Sequence, residues 1–327
     1  GCTFFFVSSG EVYGSAFRIA DGMAQSLGFE RDSGFRVTAG LSHLLARGAQ
    51  DGHVGLPMDE LLRGTAPFLE VEEQRVEQVL LETLEGGKLV DDGLVYKPDL
   101  HAAEVSTAAH LRRLAEGERA TDLAASAGVR WAEERAGLEL SDDQRQALSP
   151  ALQFPVSVVT GGPGVGKTTL VRCLVDVFRS QGCAVTLAAP TGRAARRLEQ
   201  AAGQPASTLH RLLQLRPGGV GRPHDAEPVD ADVVIVDETS MVDIVLMAAL
   251  VDALQDNTTL VLVGDVDQLP SVGAGEVLRA LIASDVLPVA RLATIFRQAE
   301  HSGIVRVAHE LNAGRMPEFD PGPKGQA

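Results

Sequence analysis

The sequence has no apolar run near the roughly 18 residues that a membrane-spanning helix requires. Its short opening run, Phe4 to Val7, has no basic flank, so it does not read as a secretory leader. Cysteine is scarce. Cys2, Cys173 and Cys183 are odd in number and lack metal-ligand spacing, which argues against a disulfide framework or a zinc cluster and fits a reducing, cytoplasmic setting. Excess positive charge is missing as well: a formal net charge of −15 argues, for the chain as a whole, against a nucleic-acid binder, because phosphate contacts need Lys and Arg. What is present is an ordinary globular composition, 45% hydrophobic and 22% charged over 327 residues, enough for two or three domains with a sizeable core.

The average charge conceals a patch. From Pro190 to His224 stand Arg193, Arg196, Arg197, Arg211, Arg216 and Arg222 against the single acid Glu199. A solvated helix face would account for such a cluster, but it is also where a nucleic-acid backbone is expected.

The chain begins without Met and ends in the polar FDPGPKGQA, so a fragment of a longer protein is expected. Residues 1–33 predict a turn and a helix with apolar Phe17, Ile19, Ala20, Met23 and Leu27, a degenerate half of a helix-hairpin-helix. Residues 34–103 predict a winged-helix-like domain. Its helices are expected near Val37 to Ala49, Pro57 to Phe68 with Pro57 in the first-turn position, and Val71 to Glu85, followed by a hairpin around Asp92-Gly93. The third helix region, Glu70 to Glu85, holds six acids and only Arg75, so phosphate would repel it and a scaffolding or protein-contact role is expected. Residues 104–139 predict a helical connector, with Trp131 in packing.

From residue 140 to 288 short β-branched runs alternate with helices: VSVVT, AVTLAAP, DVVIVDE and TLVLVGD. Such alternation predicts an α/β domain with a parallel sheet covered on both faces, whose ligands gather at the carboxyl ends of the strands. The first run leads into Gly161-Gly162-Pro163-Gly164-Val165-Gly166-Lys167-Thr168, followed by Thr169. Glycines let backbone N–H groups wrap phosphates, Lys167 reaches the β and γ oxygens, and the Thr168 hydroxyl binds Mg²⁺. About 70 residues on, an apolar strand ends in Asp237 and Glu238, where one carboxylate would hold Mg²⁺ and the next would orient the attacking water. Alone, an Asp-Glu pair is usually a solvated strand end. Together the two motifs specify a P-loop NTPase using ATP and Mg²⁺ without choosing among its kinds.

The segments LSDDQRQAL, LAAPTGRAARRL, STLHRLL, VDETSM, VGDVDQLPSVGAGEVL and IFRQ stand in the order of superfamily 1 helicase motifs, and their wording resembles the RecD-like, superfamily 1B branch over essentially the whole chain. The resemblance implies a RecA-like motor domain and an ATP-dependent 5′–3′ DNA helicase of repair or recombination. It implies that Gln144 contacts adenine, that Gln268 senses the γ-phosphate, and that Arg297 reaches the nucleotide from a second RecA-like domain beginning at 289–327. It further implies that Pro190, Thr191, Gly192, Arg193, Thr208 and His210 line a single-strand track, and that Arg216 to His224 form a strand-separating hairpin at duplex junctions. The helix-hairpin-helix of the family favours Gly where Ala16 stands, and the helicase motifs expected after IFRQ are absent. No membrane is implied and no protein partner is specified. An RNA-directed helicase of the same superfamily, a P-loop ATPase that remodels proteins, and a nonenzymatic adaptor built on the winged region are the alternatives.

Overall fold

The computed structural model describes residues 14–137, 139–215, 226–294, 303–312 and 314–316. It divides into two compact units, the first made of the described residues up to Ala109 with Asp243–Ala248 and Ser271–Glu276, the second of the remainder.

The first unit opens with helix α1 (Gly14–Ser26) and α2 (Gly34–Gln50), whose start is set by the Ser33 hydroxyl accepting the Arg36 N–H. Strand β1 (Gly55–Leu56), α3 (Met58–Leu69), α4 (Glu73–Glu85), β2 (Val90–Asp91) and β3 (Val95–Tyr96) follow. Residues at helical spacing bury the inner faces of the helices: Val37, Leu41 and Leu45 on α2, and Val76, Val79, Leu80 and Thr83 on α4. The three strands pair antiparallel in the order β1-β3-β2, with Gly55 opposite Tyr96 and Asp91 opposite Val95. Helix, strand, two helices and two strands, with the first strand paired to the last, is the order a winged helix takes. Its first strand is too short to leave a period in the sequence, so only the β2-β3 hairpin was legible. Pro57 is the residue preceding α3 and not its first residue, while Glu73, Glu77, Glu82 and Glu85 of α4 are exposed.

Helix α1 belongs to the same core through only part of its apolar residues. Phe17 is buried and stacks with His43, which stacks in turn with Phe68, whereas Ile19, Met23 and Leu27 are 60%, 55% and 75% exposed. Asp21 lies on the inner side as well. Its carboxylate takes two bonds from the buried Arg36 guanidinium, at 2.6 and 2.9 Å, and Arg36 also donates to the carbonyls of Arg31 and Leu69. A paired and buried guanidinium is costly to strand. Asp21→Ala is therefore expected to destabilise this unit by about 3 kcal/mol, read as a lower midpoint in denaturant unfolding.

Helix α5 (Pro98–Ala115) runs straight through the expected boundary at 103/104. The second unit continues with α6 (Ala125–Ala136) and α7 (Asp142–Gln153), then β4 (Val156–Gly161), α8 (Lys167–Ser180), β5 (Val185–Ala189), α9 (Gly192–Ala202), β6 (Ala206–Thr208), the short α10 (Leu209–Leu212) and β7 (Val233–Val236). A 3₁₀ turn at Thr239–Met241 leads to α11 (Ile244–Ala253), β8 (Thr259–Gly264), α12 (Val277–Ala283), β9 (Val289–Leu292) and α13 (Gly303–Asn312).

The six strands form one parallel sheet in the order β6-β5-β7-β8-β4-β9. The four strands read from sequence are all here. Strand β9 differs from expectation: it does not open a second domain but is the sheet's edge, with Val158 opposite Val289 and Gly161 opposite Leu292. Its four residues carry no periodic signal, and parallel pairing with a strand far earlier in the chain is invisible locally. Core residues such as Leu148, Leu170, Leu174 and Phe178 from the helices meet Val159, Ile235 and Val261 from the sheet, and Trp131 packs against them. Cys173 and Cys183 are free thiols, the first buried. No helix among the described residues is long and apolar enough to cross a membrane.

Candidate nucleotide and strand-binding site

Sheet order determines what meets. Strand β8 lies between β4, which runs into the glycine loop, and β7, which runs into Asp237 and Glu238. The carboxyl end of β8 thus delivers Asp265 between the two motifs.

The loop from Gly161 to Gly166 leads from β4 to α8. Gly164 and Gly166 have φ of 81° and 82°, left-handed values that a side chain resists, and Gly166 is the residue from which α8 starts. Val165 between them is buried in the core and anchors the loop. Lys167, Thr168 and Thr169 form the first turn of α8, where backbone N–H groups have no helical partner and an anion is favoured. The Lys167 ammonium is held by the carbonyls of Gly161 at 2.5 Å and Gly162 at 2.9 Å, and lies 3.9 Å from Asp265.

Asp265 is the residue that sequence reasoning passed over, although GDVDQ contains it. It is almost wholly buried, accepts the Asp267 N–H at 3.1 Å, and accepts the Gln268 side-chain amide at 3.3 Å. It therefore joins Lys167 to Gln268, whose remaining surface is exposed. The preceding Gly264 is tightly enclosed: an added Cβ would lie 2.6 Å from a Leu278 methyl carbon, 3.2 Å from the Ser240 nitrogen and 3.3 Å from that of Thr239.

Asp237 is fixed by its own N–H donating to Ala188 on β5 and by its carboxylate accepting the Glu238 N–H at 2.9 Å. Burial raises its carboxyl above the ordinary range, against the Glu238 N–H and the Lys167 charge. Glu238 sits in the left-handed region with φ of 55°. Burial first, and the Asp237 carboxylate next, push its carboxyl upward, while Lys167 and Arg197 oppose the rise and Asp265 adds to it. Among the described residues, the buried Oε2 of Glu238 has no hydrogen-bond partner. A strained backbone presenting a buried, unsatisfied carboxylate oxygen suits a group that engages a ligand.

Gln144 is 1% exposed and belongs to a capping box: its Oε1 accepts the Ser141 N–H at 3.1 Å, and its backbone N–H donates to the Ser141 hydroxyl. Its Nε2 reaches the Gly166 carbonyl at 3.5 Å, against the glycine loop.

The other predicted residues gather on the neighbouring strands β5 and β6. Pro190 follows β5, and the Thr191 hydroxyl starts α9 by accepting the Ala194 N–H at 3.2 Å. One strand over, the Thr208 hydroxyl starts α10 by accepting the Arg211 N–H at 3.2 Å. Gly192, Arg193, Arg196, Arg197 and His210 are exposed. Arg297, and the hairpin expected from Arg216 to His224, lie outside the described residues.

The oxygen donors fit Mg²⁺. The Thr168 hydroxyl and Asp237 carboxylate are hard ligands, and no group of three or more acidic, His or Cys side chains in metal-holding geometry occurs among the described residues. A cation that takes most of its shell from phosphate and water needs only such a pair.

A parallel sheet whose strand ends carry a glycine loop, its lysine and an acidic pair defines a P-loop nucleotide-binding domain. The model of the AAA domain family matches residues 139–321, and that of the ATP-dependent RecD2 DNA helicase HHH domain matches residues 5–55. The ATP-dependent RecD2 DNA helicase of Deinococcus radiodurans is 36% identical over 94% of this chain and 45% of its own length. The RecBCD enzyme subunit RecD of Mycolicibacterium smegmatis is 42% identical over 51% of this chain and 35% of its own. Among solved structures, the Pif1 helicase from Candida albicans matches 55% of this chain and 46% of its own with a TM-score of 0.39 and 24% identity. The chain belongs to the AAA-domain family. It spans less than half the length of these curated relatives.

Proposed function

We propose that this chain carries the nucleotide-binding core of an ATP-dependent DNA helicase that moves 5′ to 3′ along single-stranded DNA, in repair or recombination and in the cytoplasm. One observation carries this reading. The glycine loop, the acidic pair and the arginine-bearing helix α9 start at the carboxyl ends of strands of one rigid sheet, with Asp237 bonded directly to β5. A change in charge at the phosphates is thereby felt one strand away, where a polymer backbone would lie.

In this reading Lys167 and the backbone N–H groups from Gly161 to Thr168, Pro163 excepted, grip the phosphates, with Thr169 beside them, and Thr168 and Asp237 hold Mg²⁺. When bound, the cation offsets charge on the β and γ oxygens. Glu238 orients the attacking water and takes its proton. Gln268 reports the γ-phosphate through Asp265, Gln144 reads the adenine edge, and Arg297 supplies a second positive charge. Pro190, Thr191, Gly192, Arg193, Thr208 and His210 contact the strand, whose phosphates are met without base reading. Residues 216–224 would engage the duplex junction, helix α1 and the winged region serve together as one accessory unit followed by the helices from Pro98 to Ala136, and 140–288 with the β9 edge forms the motor domain.

The decisive experiment measures ATP turnover against oligothymidine and oligouridine of increasing length. Stimulation that rises with DNA length supports the reading. Preference for RNA selects the RNA-directed helicase, and indifference to both selects a protein-remodelling ATPase. Neutralising Arg193, Arg196 and Arg197 together is expected to lower the log–log salt slope of strand binding by about 2, and an unchanged slope would move the track elsewhere.

A further inference from the structure

Asp143 stands one residue before Gln144, and none of the chemistry above uses it. Its carboxylate accepts hydrogen bonds from four residues. Oδ2 takes the N–H groups of Ala293 and Thr294, each at 2.8 Å, and Oδ1 takes the Gln144 N–H at 3.0 Å and the Ser141 hydroxyl. Burial alone would raise this carboxyl, but the Ser141 hydroxyl, the Thr294 and Ala293 N–H groups and the Thr294 side chain outweigh it and lower it to about 2. An aspartate that merely favours a helix start needs no partners 150 residues away.

The two stretches it ties are telling. One is the first turn of α7, where Ser141 and Gln144 cap each other and the Gln144 amide touches the glycine loop. The other is the exit from β9, the strand beside the P-loop strand, with Thr294 three residues ahead of Arg297. The close approach is also visible at Gly161, where a Cβ would come within 2.7 Å of the Leu292 carbonyl oxygen.

We propose that Asp143 is a positioning residue that locks the β9 exit to the turn bearing Gln144, so that recognition of the nucleotide base depends on where the chain leaves the sheet. The proposal rests on the base-reading role given to Gln144. Removing the carboxylate leaves two N–H groups without their acceptor and frees the Ser141 hydroxyl, so the Gln144 amide loses its fixed register while the phosphate cradle is untouched.

The test compares binding of ATP and of inorganic tripolyphosphate, both with Mg²⁺, to the 327-residue chain and its variants by calorimetry, with amide hydrogen exchange at Ala293 and Thr294. Asp143→Ala is expected to lose protection at both amides and to bind ATP about tenfold more weakly, with tripolyphosphate affinity unchanged. Asp143→Asn keeps one acceptor oxygen and should restore most of the ATP preference. Unchanged tripolyphosphate binding shows that the variant is folded. Should Gln144→Ala erase the preference for ATP while Asp143→Ala preserves it, the positioning role is overturned and the base-reading role stands. Should Gln144→Ala leave the preference intact, base reading fails and the proposal fails with it.

Discussion

Replacing Lys167 by Ala is expected to lower ATP turnover by about 100-fold or more, in line with the loss of a pre-aimed charge from a phosphoryl-transfer site. The ammonium is aimed before any ligand arrives. It is held by the Gly161 and Gly162 carbonyls and approached by Asp265, so no side-chain search delays its transfer to a phosphate oxygen. Its removal has a second consequence. Lys167 is the cation that opposes the upward shifts of both Asp237 and Glu238, so the buried Asp265 and these two half-buried carboxylates lose their common partner. Nucleotide affinity should therefore fall together with turnover, measured by calorimetry and by phosphate release. Full turnover in the variant would leave the winged region as the working part and support a nonenzymatic adaptor.

The second large effect separates binding from hydrolysis. Glu238→Gln keeps the shape of the side chain but cannot take a proton from water, and turnover should drop by about 10²- to 10³-fold. ATP affinity should persist, because the phosphate cradle does not include this residue. Stability should hold or rise, since the substitution removes a charge that burial and the adjacent Asp237 both disfavour. A variant that hydrolyses ATP at the parental rate would assign the water to another group. One that unfolds at lower temperature would show that the carboxylate serves packing instead.

The glycine loop and the acidic pair were legible because both depend on a few residue types at fixed spacing, flanked by strands whose apolar runs are long enough to read. The four core strands were legible for the same reason. Strands β1, β6 and β9 were not, having two to four residues each, too few to show a period. Helix α1 was found, but its apolar residues did not define a face: Phe17 is buried, while a polar pair, Asp21 with Arg36, lies on the inner side and Ile19, Met23 and Leu27 stay outside. Asp265 and Asp143 sit inside strings already read as motifs. Their significance lies in partners 98 and 150 residues away, which no local pattern contains (265 − 167 for the first).

The bare backbone at Gly264 has a mechanical corollary. With the Ser240 and Thr239 nitrogens 3.2 and 3.3 Å from where its Cβ would stand, a side chain at position 264 would press on the stretch that follows the acidic pair. Its absence is what lets that stretch and the strand end bearing Asp265 lie this close.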